Sequence, residues 1–162
     1  MQEKLDIKTI DSIIFRYFMY YQKQNKLNME IANHQEQQKN LLDAIVSISK
    51  KYEDVPVLNP KNLNFIREEI MWIKACNYMN IEEYQSLDRI GRTSQNNGES
   101  PQKLRKNSRV REAIFATMLL YNDFLRKNNL IDFQDMALIA LNEVTIPFNQ
   151  KYTHIIMMKH KI

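Results

Sequence analysis

The sequence predicts a mainly α fold, a helical subdomain of about six helices with one or two short strands at the chain ends. Glycine and proline are scarce, at two and four residues among 162, and both are disfavoured inside helices. Large apolar residues recur at spacings of three and four, which places them on one side of a helix. With 44% hydrophobic residues, we expect residues 1–162 to form a single partial domain.

The first half of the chain is predicted to contain three helices. The first starts near Thr9 or Asp11, whose side-chain oxygens can cap free N–H groups, after a short strand at 7–9. Its apolar face is formed by Ile10, Ile13, Ile14, Tyr17, Phe18 and Tyr21. The second helix follows a polar turn, ends near Tyr52 and presents Leu41, Leu42, Ile45 and Val46. The third follows Asn59 and Pro60, with a stripe of Leu63, Ile66, Ile70 and Ile73.

The second half is predicted to contain three more helices. Asn80 starts a short one and places acidic residues near the positive end of the helix dipole. Residues 91–102 form the clearest loop. Ser108 starts a long helix that is apolar on most sides, so we expect it to be central and buried. Asp132 caps the last helix, Pro147 ends it, and residues 152–158 are predicted to be a short buried strand.

Composition excludes several functional classes. Two glycines cannot build a phosphate-binding loop, which needs several close together. Cys76 is the one cysteine of the sequence, so no internal disulfide forms and a reducing cytoplasm is the expected compartment. Apolar runs are too short for a membrane helix, and no partnership with a membrane is expected. The histidines lack metal-ligand spacing, so no metal site is predicted.

Charge is concentrated in one stretch of the chain. Residues 89–111 contain seven basic residues and one acid, Glu99, whereas the rest of the chain contains more acids than bases. This concentration favours contact with an anionic partner such as a nucleic-acid backbone. The alternative is a solvated helix face with loop charges. The basic residues are Arg89, Arg92, Lys103, Arg105, Lys106, Arg109 and Arg111.

Three segments resemble UvrD/Rep-like superfamily 1 DNA helicases in the same order. KTIDSIIFRYF is similar to the family's TFHS-type motif, with Thr9–Ser12 at its four positions. Residues 130–136, LIDFQDM, look like the family's LIDFDDL segment, and KYTHII at 151–156 looks like the strand leading into Walker B. Between them, EYQSLDRIGR, the basic segment and the long helix are similar to the helical insertion of the first RecA-like domain.

The resemblance implies a DNA-binding fragment of an ATP-dependent helicase, with DNA and the rest of the helicase as partners. Thr9 and Ser12 would then donate hydrogen bonds to single-stranded DNA, and the basic residues would contact single-strand or duplex backbone phosphates. Capping of the first helix is the alternative role for the two hydroxyls. The presumed parent would bind ATP and Mg²⁺.

This chain departs from the family at the ATP site. Met157, Met158 and Lys159 stand where the family has a hydrophobe, Asp and Glu, and these side chains cannot hold Mg²⁺ or activate water. Eight residues before Thr9 leave no room for a Walker A loop. We therefore expect no catalytic residue, no cofactor and no independent ATPase activity in this chain.

Other chemistry-bearing residues have structural interpretations. Trp72, Tyr78 and Tyr84 can stack on bases, but their place beside apolar stripes favours core packing. Cys76 is expected to be a buried structural thiol. The adjacent pairs Glu68–Glu69 and Glu82–Glu83 point in diverging directions and predict solvated faces. The alternative function is a non-catalytic helical module, derived from such a helicase, that binds a protein through an apolar groove.

Overall fold

The structure, a computed structural model, describes residues 8–89 and 104–145. Within these ranges the chain forms six α-helices and two short strands, which confirms the predicted mainly α fold. The strands are β1 (Glu30–Ile31) and β2 (Leu130–Ile131). The helices are α1 (Ile10–Asn25), α2 (His34–Ser49), α3 (Leu63–Ala75), α4 (Ile81–Ser86), α5 (Arg109–Lys127) and α6 (Phe133–Thr145).

The chain divides into two compact units. Unit 1 combines the two ends of the chain, Met1–Leu27 and Met136–Ile162, and unit 2 contains Asn28–Asp135. The described part of unit 1 consists of α1 and most of α6, and unit 2 contains α2 to α5 with both strands. Along the sequence, unit 2 is thus inserted between the two segments of unit 1. A single partial domain over 1–162, made of a helical insertion with flanking remnants of its parent domain, stays a prediction.

Local capping signals start the helices where the sequence predicts. Thr9 accepts a hydrogen bond from the Ser12 N–H, Asn80 does the same for α4, and Ser108 does so for α5. Asp132 Oδ1 accepts from the Asp135 N–H at 2.9 Å at the start of α6. Each side chain satisfies an N–H that the first helical turn leaves without a partner. These four predicted helix starts are confirmed.

Helix α5 is the centre of unit 2, as predicted. It packs against α2, α3, α4 and β2, and the Tyr84 ring stacks on Phe115 with centroids 6.3 Å apart. The predicted α3 stripe is also buried at Ile66, Ile70 and Ile73. The α5 residues of the core are Ala113, Ile114, Phe115, Met118, Tyr121 and Leu125.

The apolar face predicted for α2 is only half correct. Leu41 and Ile45 are buried, but Leu42 and Val46 are 38% and 45% exposed. The buried face is completed instead by Ala44 and by Asn40, whose side-chain amide N–H donates to the Glu36 carbonyl at 2.8 Å. A polar side chain such as Asn40 can be buried at small cost when its hydrogen bonds are made. The face of α2 that packs against α5 is therefore rotated about the helix axis relative to the predicted stripe.

The two strands lie away from the predicted positions. Strands β1 and β2 pair in parallel, Glu30 opposite Leu130 and Ile31 opposite Ile131. The Ala32 N–H donates to the Ile131 carbonyl at 2.8 Å. Lys8 and Thr9, from the strand predicted at 7–9, are not in a strand. The predicted loop at 91–102, Pro147 and the predicted strand at 152–158 lie outside the described residues.

Lys26 ends α1 in a conformation that favours glycine. Its backbone has φ 53° and ψ 39°, in the left-handed region, and its N–H donates to the Gln22 carbonyl. A side chain with a Cβ is disfavoured there, whereas glycine is not.

We therefore expect Lys26→Gly to stabilise the protein by about 0.5–1 kcal/mol, measured by thermal unfolding followed by far-UV circular dichroism. The matched control is Lys23→Gly, three residues earlier in the regular helix, which should lose about 1 kcal/mol. Equal destabilisation by both changes would contradict the assignment of the left-handed cap.

Candidate nucleic-acid interface

The predicted motif at Thr9–Ser12 forms the N-terminus of α1. The Ser12 N–H donates to Thr9 Oγ1 at 3.2 Å, and the Ser12 hydroxyl donates to the Thr9 carbonyl at 2.8 Å. Both residues are exposed. The Ser12 proton is thus used within the turn, whereas the Thr9 hydroxyl accepts and keeps its own proton for a phosphate oxygen. Capping and phosphate contact are therefore compatible at Thr9 but compete at Ser12.

Arg111 has to be removed from the predicted DNA contacts because its side chain is buried. It is 0% exposed, and its guanidinium donates to backbone carbonyls of the segments before and after residues 90–103. Its Nη1 donates to the Tyr84 carbonyl and to that of Gln85, at 3.3 Å for the latter. Its Nη2 donates to the Leu87 and Leu104 carbonyls, at 3.0 Å each. Arg111 is a structural residue that supplies these carbonyls with donors.

Gln85 joins the same two segments through its amide. Its side-chain oxygen accepts from the Ser108 N–H at 2.9 Å, and its side-chain nitrogen donates to the Ser108 carbonyl at 3.0 Å. The Asn107 N–H donates to the Gln85 carbonyl at 3.2 Å. The C-terminal end of α4 is therefore fixed against the N-terminal end of α5. Arg111 and Gln85 together link the described residues that precede position 90 with those that follow position 103.

Arg89 is also committed to the interior of unit 2. Its Nε and Nη2 donate to the two carboxylate oxygens of Glu69 at 3.0 Å each, and its guanidinium lies 3.6 Å from the Trp72 ring centroid. The Arg89 side chain is 10% exposed and that of Glu69 is 0%. A bidentate, stacked guanidinium is not available to a phosphate. Arg89 therefore leaves the predicted DNA contacts, and the solvated face predicted for Glu69 is wrong.

Tyr84 completes the environment of Glu69. Its hydroxyl donates to Glu69 Oε1 at 3.0 Å. Burial first, and then the neighbouring Glu69 carboxylate, raise the pKa of Tyr84 far above its ordinary value. The phenol therefore stays protonated and remains a donor to Glu69. Core packing, the favoured interpretation for Tyr84, is confirmed, and Trp72 is half-buried against the same cluster.

Three of the predicted cations are exposed at the start of α5: Arg105, Lys106 and Arg109. Lys106 Nζ lies 3.0 Å from Asp88 Oδ1, with both side chains well exposed. Arg109 Nε donates to Asp54 Oδ1 at 2.9 Å and lies 2.8 Å from Asp54 Oδ2, and this hydrogen bond raises the pKa of Arg109. Exposed ion pairs of this kind contribute about 0–1 kcal/mol, so a phosphate can replace the acidic partners. Arg92 and Lys103 lie outside the described residues.

A buried charge cluster was missed by the sequence analysis. Lys74 Nζ lies 2.5 Å from Asp132 Oδ2 and 3.1 Å from Asp135 Oδ2, with the Lys74 side chain 3% exposed. Burial first, and then the nearby Asp132 carboxylate, raise the pKa of Tyr121. Burial raises the pKa of Asp135, and Lys74 opposes that shift. The pattern did mark Asp132 as a helix cap, but a lysine in the last turn of a helix normally indicates a solvated residue.

The structure also bears on the predictions made for metal binding, for Cys76 and for membrane spans. Across residues 8–89 and 104–145, no three or more His, Cys, Asp or Glu side chains are arranged to hold a metal ion. Cys76 is exposed, so the buried thiol predicted there is wrong. The helices of the described ranges are too short or too polar to cross a membrane.

Known proteins provide no further assignment of this site. Comparison with protein-family models, curated proteins and solved structures found no match to the chain.

Proposed function

We propose that this chain is a DNA-binding helical part of an ATP-dependent, UvrD/Rep-like DNA helicase, which contacts the DNA backbone without a motor of its own. The observation that carries the proposal is the layout of the units along the chain. A helical unit, Asn28–Asp135, is inserted into a second unit made from both ends of the sequence. That is the layout expected of a helical insertion flanked by the remaining parts of its parent domain.

The segment 130–136, which resembles the family's LIDFDDL segment, lies at the return from one unit to the other. Leu130 and Ile131 form β2, and Asp132 caps α6. Lys74 of α3 bonds to Asp132 within unit 2. Asp132 therefore has a structural role that agrees with the proposal, since it caps the start of the helix that follows the insertion.

The DNA contacts in this proposal are Arg105, Lys106 and Arg109 on unit 2 and Thr9 on unit 1. The three cations are exposed, and the N-terminus of the 19-residue helix α5 adds partial positive charge beside them. Contacts of this kind bind phosphates without reading the base sequence. ATP and Mg²⁺ belong to the proposed parent protein, which acts in the cytoplasm. Met158 and Lys159 do not suit Mg²⁺, so no hydrolysis step is assigned here.

Charge reversal at the start of α5 tests the proposal. We expect Arg105→Glu, Lys106→Glu and Arg109→Glu, combined in the full chain, to weaken binding to a fluorescein-labelled 20-base-pair duplex at least tenfold. The slope of log K against log salt should also fall by roughly two to three, since about 0.9 counterion is released per phosphate contact. Fluorescence anisotropy across a salt series measures both quantities.

The matched control reverses three exposed cations elsewhere in unit 2, Lys39, Lys61 and Lys127. This control makes the same change in net charge. A larger loss of DNA affinity in the variant of Arg105, Lys106 and Arg109 therefore locates the contact at the start of α5. Equal losses in both variants, or no binding by the wild-type chain at low salt, would contradict the proposal.

A protein-interaction module is the second candidate function. Large apolar side chains on unit 2 are exposed at Leu42 and Val46 on α2 and at Leu119 on α5. Clustered exposed apolar residues are typical of protein contacts. Self-association, or capture of a protein partner that Leu42→Ser and Val46→Ser abolish, without any DNA affinity, would favour this function over DNA binding.

A further inference from the structure

The segments through which the chain enters and leaves unit 2 lie side by side. Strand β1 lies close to the residue at which unit 2 begins, and β2 lies close to the residue at which it ends. The Glu30 N–H donates to the Asn129 carbonyl at 2.9 Å, and the Ala32 N–H donates to the Ile131 carbonyl at 2.8 Å. We name residues 129–135 the return crossing, because there the chain leaves unit 2. Pairing of the two strands therefore ties the return crossing to the segment that enters the unit.

The return crossing is also held by a buried lysine of α3. Lys74 Nζ lies 2.5 Å from Asp132 Oδ2 and 3.1 Å from Asp135 Oδ2. The side chains of Lys74 and Asp132 are almost completely buried, whereas that of Asp135 is 22% exposed. One cation thus faces two carboxylates, so the cluster has an excess of negative charge when both are ionised. Asp135 is the more open of the two acids and is the one that a proton from solvent reaches more easily.

The other groups that face Asp135 come from α5 and do not remove this excess. Burial raises the pKa of Tyr121 far above its ordinary value, so the phenol stays neutral, and Lys74 Nζ lies 5.1 Å from its ring centroid. Arg126 also favours the ionised form of Asp135. Its side chain is 70% exposed and lies 3.8 Å from Asp123 Oδ1, so solvent screens its charge. Burial therefore outweighs both cations and raises the pKa of Asp135.

We propose that Lys74, Asp132 and Asp135 form a proton-controlled latch on the return crossing, which tightens when Asp135 takes up a proton. In the protonated cluster one lysine faces one carboxylate, so the buried charges balance. In the ionised cluster the two acids repel each other. That repulsion favours local opening, in which the return crossing separates from β1 and Asp135 is hydrated. The inference goes beyond DNA binding and does not depend on it, since it concerns contacts within unit 2.

The direction of the pH dependence follows from the form in which Asp135 binds its proton more tightly. Its pKa is raised in the closed latch and returns toward the ordinary value when the crossing opens into solvent. Such a group stabilises the closed form at low pH, and that contribution is lost as the pH rises through the pKa of the closed form. Acidification therefore closes the latch. A carboxylate whose pKa is lowered by a salt bridge would respond in the opposite direction.

Hydrogen exchange of the full chain, measured by NMR at pH 4.5 and pH 7, tests the latch. The reporters are the amides of Glu30 and Ala32, whose hydrogen bonds to the return crossing break when it opens. We expect their protection factors to be about threefold higher at pH 4.5 than at pH 7. Asp135→Asn mimics the protonated group and should give the higher protection at both pH values. Asp135→Glu keeps the charge and should keep the pH dependence.

The matched control is Asp43→Asn, which removes an exposed carboxylate of α2 and should leave both protection factors as in wild type. Titration of the Asp135 carboxyl, followed by its side-chain carbon shift, should have a midpoint above the ordinary 3.8 of aspartate. Unchanged or lower protection of Glu30 and Ala32 in Asp135→Asn at pH 7 would overturn the inference. So would an Asp135 midpoint at or below the ordinary value.

Discussion

Replacing Arg111 with methionine is expected to destabilise unit 2 by about 3–5 kcal/mol, among the largest effects of any single substitution in this chain. Arg111 is 0% exposed and donates to four backbone carbonyls, two of them at 3.0 Å. Methionine fills a similar volume but donates to none. Each buried carbonyl left without a donor costs about 1–3 kcal/mol, and water entering the gap limits the total.

Trp72 makes this loss measurable for unit 2 specifically. It is the one tryptophan of the sequence and lies within unit 2 under the Arg89 guanidinium. Urea unfolding followed by its fluorescence therefore reports that unit. Arg111→Lys is the matched control, since lysine keeps the charge and up to three donors but not the planar geometry. An intermediate loss is expected. A loss below about 1 kcal/mol for the methionine variant would show that the four carbonyls find other donors.

The features that the sequence predicted correctly are those that depend on neighbouring residues, namely helix starts and the apolar stripe of a helix. Thr9, Asn80, Ser108 and Asp132 start their helices because a cap requires only a side chain and the next helical turn. The apolar stripe of α3 was likewise visible, since its spacing is fixed by the helix period. Strands β1 and β2 were not predicted. Each contains two residues, and their pairing joins positions 100 residues apart.

The burial of individual charged residues could not be predicted from the sequence. Counting charge over 89–111 indicated seven possible contacts, but charge count carries no information on burial. Arg89 and Arg111 are used inside unit 2 because Glu69 and the carbonyls near α4 lie there. Arg105 and Arg109 remain on the surface. No feature of the local sequence distinguishes the two buried arginines from the two exposed ones, since the difference in burial arises when α3, α4 and α5 pack together.

Glu69, Lys74 and Arg111 share one structural principle. All three are almost completely buried. Glu69 and Lys74 have partners of opposite charge, whereas Arg111 donates to four backbone carbonyls and its Nε has no hydrogen-bond partner. Helix α3 carries an acid that holds Arg89 and a base that holds Asp132, five residues apart. Buried polar groups of this kind fix one packing arrangement when all members have partners, and they become costly when one partner is removed.

The second large effect is expected at Lys74. Lys74→Met should destabilise unit 2 by about 3–5 kcal/mol at pH 7, because it leaves the buried carboxylate of Asp132 and the half-buried carboxylate of Asp135 without their cation. The loss should shrink on acidification. Burial and Asp132 raise the pKa of Asp135, and Lys74 is the main group that lowers it. In the variant the folded-state pKa is therefore higher still. A carboxyl with a raised folded-state pKa stabilises the fold at low pH and loses that contribution as pH rises.

Urea unfolding of wild type and Lys74→Met at pH 5 and pH 7, followed by Trp72 fluorescence, tests this expectation. The matched variant adds Asp132→Asn and Asp135→Asn to Lys74→Met. Asparagine keeps the cap on α6, since its side-chain oxygen can accept from the residue 135 N–H as Asp132 does at 2.9 Å. Most of the lost stability should return, and the pH dependence should disappear, because no unpaired carboxylate remains. Lys74→Met could instead destabilise unit 2 equally at both pH values, with no stability restored by the two asparagines. That result would show that Lys74 acts through packing of its alkyl chain and not through its charge.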